Sequence, residues 1–154
     1  MTAGADAGQA RIVVGVDGSV HSRAALRWAA QFAGVLGARL LAVTAWDYPL
    51  ALGWSVVPDD WDPAGDMQKI LQETVTEAFG GNPPAGLQLQ VNEGSAARVL
   101  IEASQGATML VVGSRGHGGF AGLLLGSVSA NVAEHAPCPV LIIHGDQAPP
   151  PVAG

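Results

Sequence analysis

Along the chain, apolar and polar positions alternate between two periods. Residues 11–17 (RIVVGVD) form a short apolar run closed by a turn, which predicts a buried strand. From residue 19 to 37 the period lengthens: Arg23, Arg27 and Gln31 fall four apart on one face, and Trp28, Phe32 and Leu36 four apart on another. Gly37 is placed to stop that helix. Residues 39–46 (RLLAVTAW) predict a second strand. A second helix is expected from Asp66 on the spacing Met67, Ile70, Leu71, Thr74, Ala78, ending before Gly80 and Gly81. Leu87, Leu89 and Val91 alternate with polar residues, as in a strand near a sheet edge. Ser95 is a good N-cap for a short helix to about residue 104. Residues 108–113 (TMLVVG) are wholly apolar and predict a central fourth strand. A glycine-rich turn then leads into a helix ending near Ala136, and residues 139–144 (PVLIIH) predict a fifth strand at a sheet edge.

Five strands separated by four helices imply a parallel sheet, because parallel strands need crossover connections. The expected fold is a single doubly wound α/β domain, a five-stranded parallel sheet with helices on both faces. It should span residues 10–145, between a flexible N-terminus (1–9) and a disordered or extended tail (146–154, with APPP). Residues 47–65 hold three prolines, two tryptophans and four aspartates without a clear period, and read as a long loop.

Composition narrows the function classes. The 154 residues are 49% hydrophobic and 13% charged, enough for one well-cored domain. No apolar run approaches the roughly 18–20 residues that span a bilayer, and the first ten residues lack the form of a secretory signal, so the expectation is a cytoplasmic protein. Net charge is −6. The seven basic residues are scattered, so neither nucleic acid nor an anionic membrane is an expected partner. The single cysteine, Cys138, forms no internal disulfide; it reads as a small buried hydrophobe, with a reactive thiol as the alternative.

In an open parallel sheet, ligands sit beyond the carboxyl ends of the strands where the strand order reverses. Two segments reach such ends: residues 16–19 (VDGS), and the stretch 113–127, which has six glycines in the fourteen residues from Gly113 to Gly126. Glycines let backbone N–H groups approach a bound group closely. Gly126 and Ser127 open a helix, whose N–H groups and dipole make an anion site. Ser127 can serve as N-cap and offer its hydroxyl to a phosphate oxygen, and Arg115 is the cation nearby. The other reading is that the stretch merely connects two elements. It is not a Walker loop, having no Gly-Lys-Ser/Thr, and no dinucleotide fingerprint follows the first strand.

The spacing Gly113-x-x-Gly116, nine residues, then Gly126-Ser127 resembles the ATP-binding motif of the universal stress protein family. The words VVGSRGHGGFAGLLLGSVS and APCPVLII are similar to that family's C-terminal half, and RIVVGVDGS to its opening strand, so the resemblance covers about residues 10 to 145. It implies a Rossmann-like domain that binds ATP, and it points, with the apolar edge of the C-terminal strand, to a homodimer through that strand. An Asp beside a triphosphate then calls for Mg²⁺ or Mn²⁺ unless it takes ribose hydroxyls. By the same resemblance Asp17 stands near ribose and phosphates, Gly15 where the first strand passes the nucleotide, and the Val43 backbone at the adenine. Gly113 and Gly116 then match the ribose and phosphate turn, and Gly126, Ser127 and Val128 the helix start that holds phosphates. Taken from the residues alone, Asp17 also reads as a turn-former or helix cap, and Val43 as core.

Remaining candidates are weaker. His117 reads as a solvent-exposed loop residue or a phosphate contact, and His21, His135 and His144 have no ligand spacing. Trp54 and Trp61 read as loop anchors or as ligand or partner contacts. No Ser/His/Asp or Cys/His set assembles. The expected function is nucleotide-dependent signalling in a stress response with little or no ATP hydrolysis, since a P-loop lysine and an evident water-activating base are missing. The alternative is a phosphotransferase or nucleotidyltransferase on a related α/β scaffold.

Overall fold

The computed structural model describes residues 9–47, 60–116 and 125–151. His117 and Trp54 lie outside them. Five strands, β1 (Arg11–Gly15), β2 (Arg39–Trp46), β3 (Gln88–Glu93), β4 (Met109–Gly113) and β5 (Val140–Ile143), form one sheet in the order β3-β2-β1-β4-β5, and every pairing is parallel. Four helices make the crossovers: α1 (Val20–Leu36), α2 (Pro63–Phe79), α3 (Ala96–Ala103) and α4 (Ser127–His135). This is the doubly wound fold expected from the alternation of periods.

The strand order explains the composition of each strand. β1 is central and buried on both faces: Ile12 and Val14 enter a core with α1 and α2, and Val13 enters the opposite core with Val99, Leu100 and Val132. An all-apolar run is therefore needed there, with alternation hidden inside it. β4, expected at the centre, is interior but flanked by β1 and the edge strand β5. β3 is the other edge, where its outward polar residues meet water.

Helix ends follow local chemistry. Ser19 caps α1 by accepting from the Ser22 N–H at 3.2 Å, and Gly37 closes it with φ 64°. α2 begins three residues earlier than its apolar period suggests. Asp62 accepts from the Gly65 N–H at 3.1 Å and Pro63 takes the first helical position, so a cap and a proline set the start. The apolar stripe read on α1 also takes a different place. The helix turns Ala24, Ala25, Leu26, Ala29 and Ala33 to the sheet, while Trp28 and Phe32 stay half-buried at its flank and Leu36 is exposed. Small residues win the core face because they let the helix axis approach the strands. No helix among the described residues is long and apolar enough to cross a membrane.

Candidate functional site

The strand order reverses between β1 and β4, so the carboxyl ends of these two strands open a crevice. A cavity of about 570 Å³ occupies it. Gly15, Asp17 and Val43 line one side, and Gly113, Arg115, Gly116, Gly126, Ser127 and Val128 the other. All nine residues singled out from the sequence thus meet around one space. Ala45, Leu100 and Val112 complete an apolar wall. The volume is in the range of small-molecule sites, roughly 300–1,000 Å³.

Asp17 sits just past β1 with its side chain held by its own turn. Its Oδ1 accepts from the Ser19 N–H at 2.9 Å, and Ser19 in turn caps α1. The turn-former reading of Asp17 is therefore correct as local structure, and it leaves the second carboxylate oxygen, Oδ2, facing Gly116. A Cβ placed on Gly116 would overlap that oxygen. The carboxylate is exposed and lines the cavity.

The glycines act by close approach. None of Gly15, Gly113, Gly116 and Gly126 has positive φ. A Cβ on Gly15 would lie 2.8 Å from Leu100 Cδ1, and one on Gly113 would lie 2.7 Å from His21 Cβ and 2.9 Å from the His21 carbonyl carbon. Gly113 is thus required where β4 passes under the first turn of α1, whereas at Gly116 a side chain would meet only the end of the Asp17 side chain. Gly126 differs, since a Cβ there would make only ordinary contacts at 3.5 Å.

The loop after β4 is closed at its base. The buried Ser114 carbonyl accepts from the Gly126 N–H at 2.7 Å and from the Ser129 hydroxyl at 2.8 Å, and its N–H donates to the Ile143 carbonyl at 2.8 Å. Ser114 and Ser129 were not singled out from the sequence. Serines in a glycine-serine stretch look like solvated turn residues, and only the three-dimensional closure assigns them work. The closure also fixes where α4 starts. Its N-cap is Gly126, in extended conformation, and Ser127 is the first helical residue rather than the cap expected for it. No side chain caps this helix and no acid lies in its first turn. The N–H groups of Ser127, Val128 and Ser129 have no intrahelical acceptor, and all three residues line the cavity.

On the opposite wall, Val43 is 1% exposed and its carbonyl already accepts from the Val16 N–H at 2.9 Å. Backbone groups alternate sides along a strand, so Ala45 is the next residue of β2 to point toward β1. β1 has ended by then, and Ala45 lines the cavity. Neighbouring Thr44 donates its hydroxyl to the Val16 carbonyl at 2.9 Å, which holds the two strand ends together. The sequence signal for Ala45 is its place two residues after a strand position whose backbone is used by the sheet.

Among the described lining residues, Arg115 is the one cation and Asp17 the one carboxylate. No group of three or more His, Cys, Asp or Glu among the described residues could hold a metal ion by itself. Trp61, half-buried just before α2, does not line the cavity. Cys138 lies elsewhere, half-buried after α4, where burial raises its thiol pKa above the ordinary value against a weaker opposing hydrogen bond with Ser104.

The Universal stress protein family model matches residues 10–144. A universal stress protein of Mycolicibacterium smegmatis is 36% identical over 144 residues, covering 88% of this chain and 48% of that protein. Universal stress protein Rv2623 of Mycobacterium tuberculosis is 36% identical over 135 residues, covering 87% and 45%. The chain spans about half the length of these curated relatives. Among solved structures, a universal stress protein in complex with cAMP is similar at TM-score 0.63 and 31% identity, over 88% of this chain and 96% of that one. The universal stress protein UspA of Lactobacillus plantarum shares the fold at TM-score 0.69 and 20% identity, over 87% and 97%. With its motif, sheet order and family match in agreement, this chain belongs to the universal stress protein family.

Proposed function

We propose that the cavity between β1 and β4 binds ATP, and that the bound nucleotide serves as a signal in a stress response rather than as fuel. The observation that carries this reading is the pairing of two unlike walls around one space. An apolar wall at Val43, Ala45 and Leu100 suits a base, and an uncapped helix N-terminus with Arg115 beside it suits phosphates. The purine edge would meet the backbone of Ala45, and the ribose would lie at Asp17 and Gly15. The neighbour solved with cAMP supports an adenine nucleotide in a site of this fold.

A divalent cation, Mg²⁺ or Mn²⁺, fits the donor set. A carboxylate beside phosphates is repulsive unless a metal or ribose hydroxyls intervene, and Asp17 has one oxygen left over from its own turn. The metal would be held jointly by the phosphates and Asp17, and it would neutralise charge there. Little or no hydrolysis is expected. The described lining offers one cation, no lysine and no histidine, which is poor equipment for phosphoryl transfer. A steady rate above about one turnover per second would instead support the phosphotransferase or nucleotidyltransferase reading.

Two further parts of the proposal follow from the molecule's edges and surface. β5 is an apolar edge strand (VLII) with three half-buried residues, and it is the surface through which a homodimer would form. Light scattering that finds only monomer at micromolar concentration would remove that part. Cytoplasmic location is likewise proposed; the structure contributes the absence of a membrane-crossing helix among its described residues.

Isothermal titration of the protein with Mg-ATP, ADP and cAMP tests the central reading. ATP should bind at one site with a dissociation constant on the order of micromolar, about −8 kcal/mol. Tighter binding of cAMP than of ATP would overturn the choice of nucleotide while keeping the site.

A further inference from the structure

β2 carries one polar side chain in its interior, Thr44, and it is 2% exposed. A buried hydroxyl is costly unless it is bonded. Thr44 Oγ1 donates to the Val16 carbonyl at 2.9 Å, at the point where the ladder between β1 and β2 stops. The Val16 N–H still donates to the Val43 carbonyl at 2.9 Å. In a parallel ladder the carbonyl of that same residue would accept from the N–H two positions further along the facing strand, here Ala45. Among the described residues no backbone bond joins Ala45 to Val16, and the Thr44 hydroxyl stands in its place. We propose that Thr44 is a positioning residue for the base: by taking the Val16 carbonyl, its hydroxyl leaves the N–H and carbonyl of Ala45 free to pair with the edge of an adenine. The proposal rests on the reading of the cavity as an ATP site.

The N–H and carbonyl of Ala45 point to the same side, toward the space beyond the end of β1, and Ala45 lines the cavity half-buried. One donor beside one acceptor is the complement of adenine, whose ring N1 accepts and whose 6-amino group donates. Hypoxanthine and guanine carry an N–H at N1 and a carbonyl at C6. Against the same two backbone groups they would set donor to donor and acceptor to acceptor. A site built to hydrogen-bond one partner rejects an analogue that leaves its polar groups unpaired. The freed edge of Ala45 therefore reads the base.

Packing alone does not ask for a threonine here. A valine at position 44 would fill similar space without burying a hydroxyl, and the ladder would then run one bond further. The hydroxyl also reaches the neighbouring turn. The Val16 carbonyl and the Asp17 N–H belong to one peptide group, so the bond that frees Ala45 also orients the start of the turn in which Asp17 Oδ1 accepts from the Ser19 N–H. One buried hydroxyl thus sets the base wall and the approach to the carboxylate together.

Amide hydrogen exchange and calorimetry on the full chain test the proposal. Without nucleotide, the Ala45 amide should exchange at least about tenfold faster than the ladder-bonded Val16 amide, and Mg-ATP should slow it by a similar factor. Thr44→Val should slow the Ala45 amide at least about tenfold in the free protein, because it rejoins the ladder. Equal exchange at Ala45 and Val16, or an Ala45 amide unmoved by Thr44→Val, would overturn the proposal whether or not a nucleotide binds. In titrations, Thr44→Val should bind Mg-ATP at least about tenfold more weakly and change Mg-ITP by less than about twofold, since inosine triphosphate differs from ATP only at that edge. Thr44→Ser keeps the hydroxyl and should restore the preference for ATP. An equal loss for both nucleotides would reduce Thr44 to a structural prop. Failure of the unaltered chain to bind Mg-ATP would remove the ATP reading and the adenine with it. Binding of Mg-ATP that leaves the Ala45 amide unprotected would overturn the role of Thr44 alone.

Discussion

Four glycines around the cavity all lack a positive φ but have different reasons to be glycine. A side chain on Gly113 meets the backbone of His21, which cannot yield without moving α1. Gly113→Ala should therefore destabilise the fold by about 1–3 kcal/mol, readable as a lower denaturant midpoint. A side chain on Gly116 meets only the tip of the Asp17 carboxylate, which can swing aside. Gly116→Val should leave the midpoint within about 0.5 kcal/mol of the parent and weaken ATP binding at least about tenfold. Unchanged affinity with a displaced Asp17 would remove that carboxylate from the site. Cys138 gives a simpler expectation. Burial raises its thiol pKa, so at neutral pH it is protonated and should react with a thiol reagent more slowly than free cysteine. Faster reaction would place the thiol in an open, activating site instead.

Among the elements, α4 shows how the loop and the helix share one design. Gly126 leaves the helix start open, and Ser129 uses its hydroxyl to tie that start to Ser114. Gly126 has extended backbone and room for a Cβ, so Gly126→Asp is sterically allowed. The new carboxylate would cap α4 and add about 0.5–1 kcal/mol of stability while placing negative charge where phosphate is proposed to bind. The expected result is a protein that melts higher and binds ATP more weakly. A gain in both would locate the phosphates away from this helix. Ser129→Ala should cost about 1 kcal/mol and loosen the loop base, visible as faster hydrogen exchange at the Gly126 amide.

The same elements show what was legible in the sequence. Strands gave themselves away through apolar runs bounded by turns, and β2 matches its expected bounds of 39–46 because Gly37 and Asp47 bracket it. The start of α2 was hidden because a cap and a proline, not periodicity, decide it. Asp17 was visible as a residue but not as a bifunctional one, since its second oxygen acquires meaning only when Gly116 arrives from far along the chain. Ala45 and Ser129 were invisible for the same reason: each depends on which backbone groups the sheet and the loop closure have already used. The aromatic stripe on α1 was legible as a face. That Trp28 and Phe32 pack partly on the core, while the Trp28 indole bonds the returning chain at Gln147, was not, because that return has no periodicity of its own.

At the scale of the whole molecule, the fold places the crevice at the reversal of strand order next to the flank of α1 that the returning chain covers. Curated relatives are about twice as long, so this chain corresponds to half of their length. The β5 edge is where a second copy is proposed to join. The most direct test of the central claim is titration calorimetry with Mg-ATP, run side by side on the parent protein and Gly116→Val. One saturable site of order micromolar in the parent, weakened at least about tenfold in a variant of unchanged stability, is the result predicted. Absence of heat and of bound nucleotide in the parent, or equal binding by the two proteins, would contradict it.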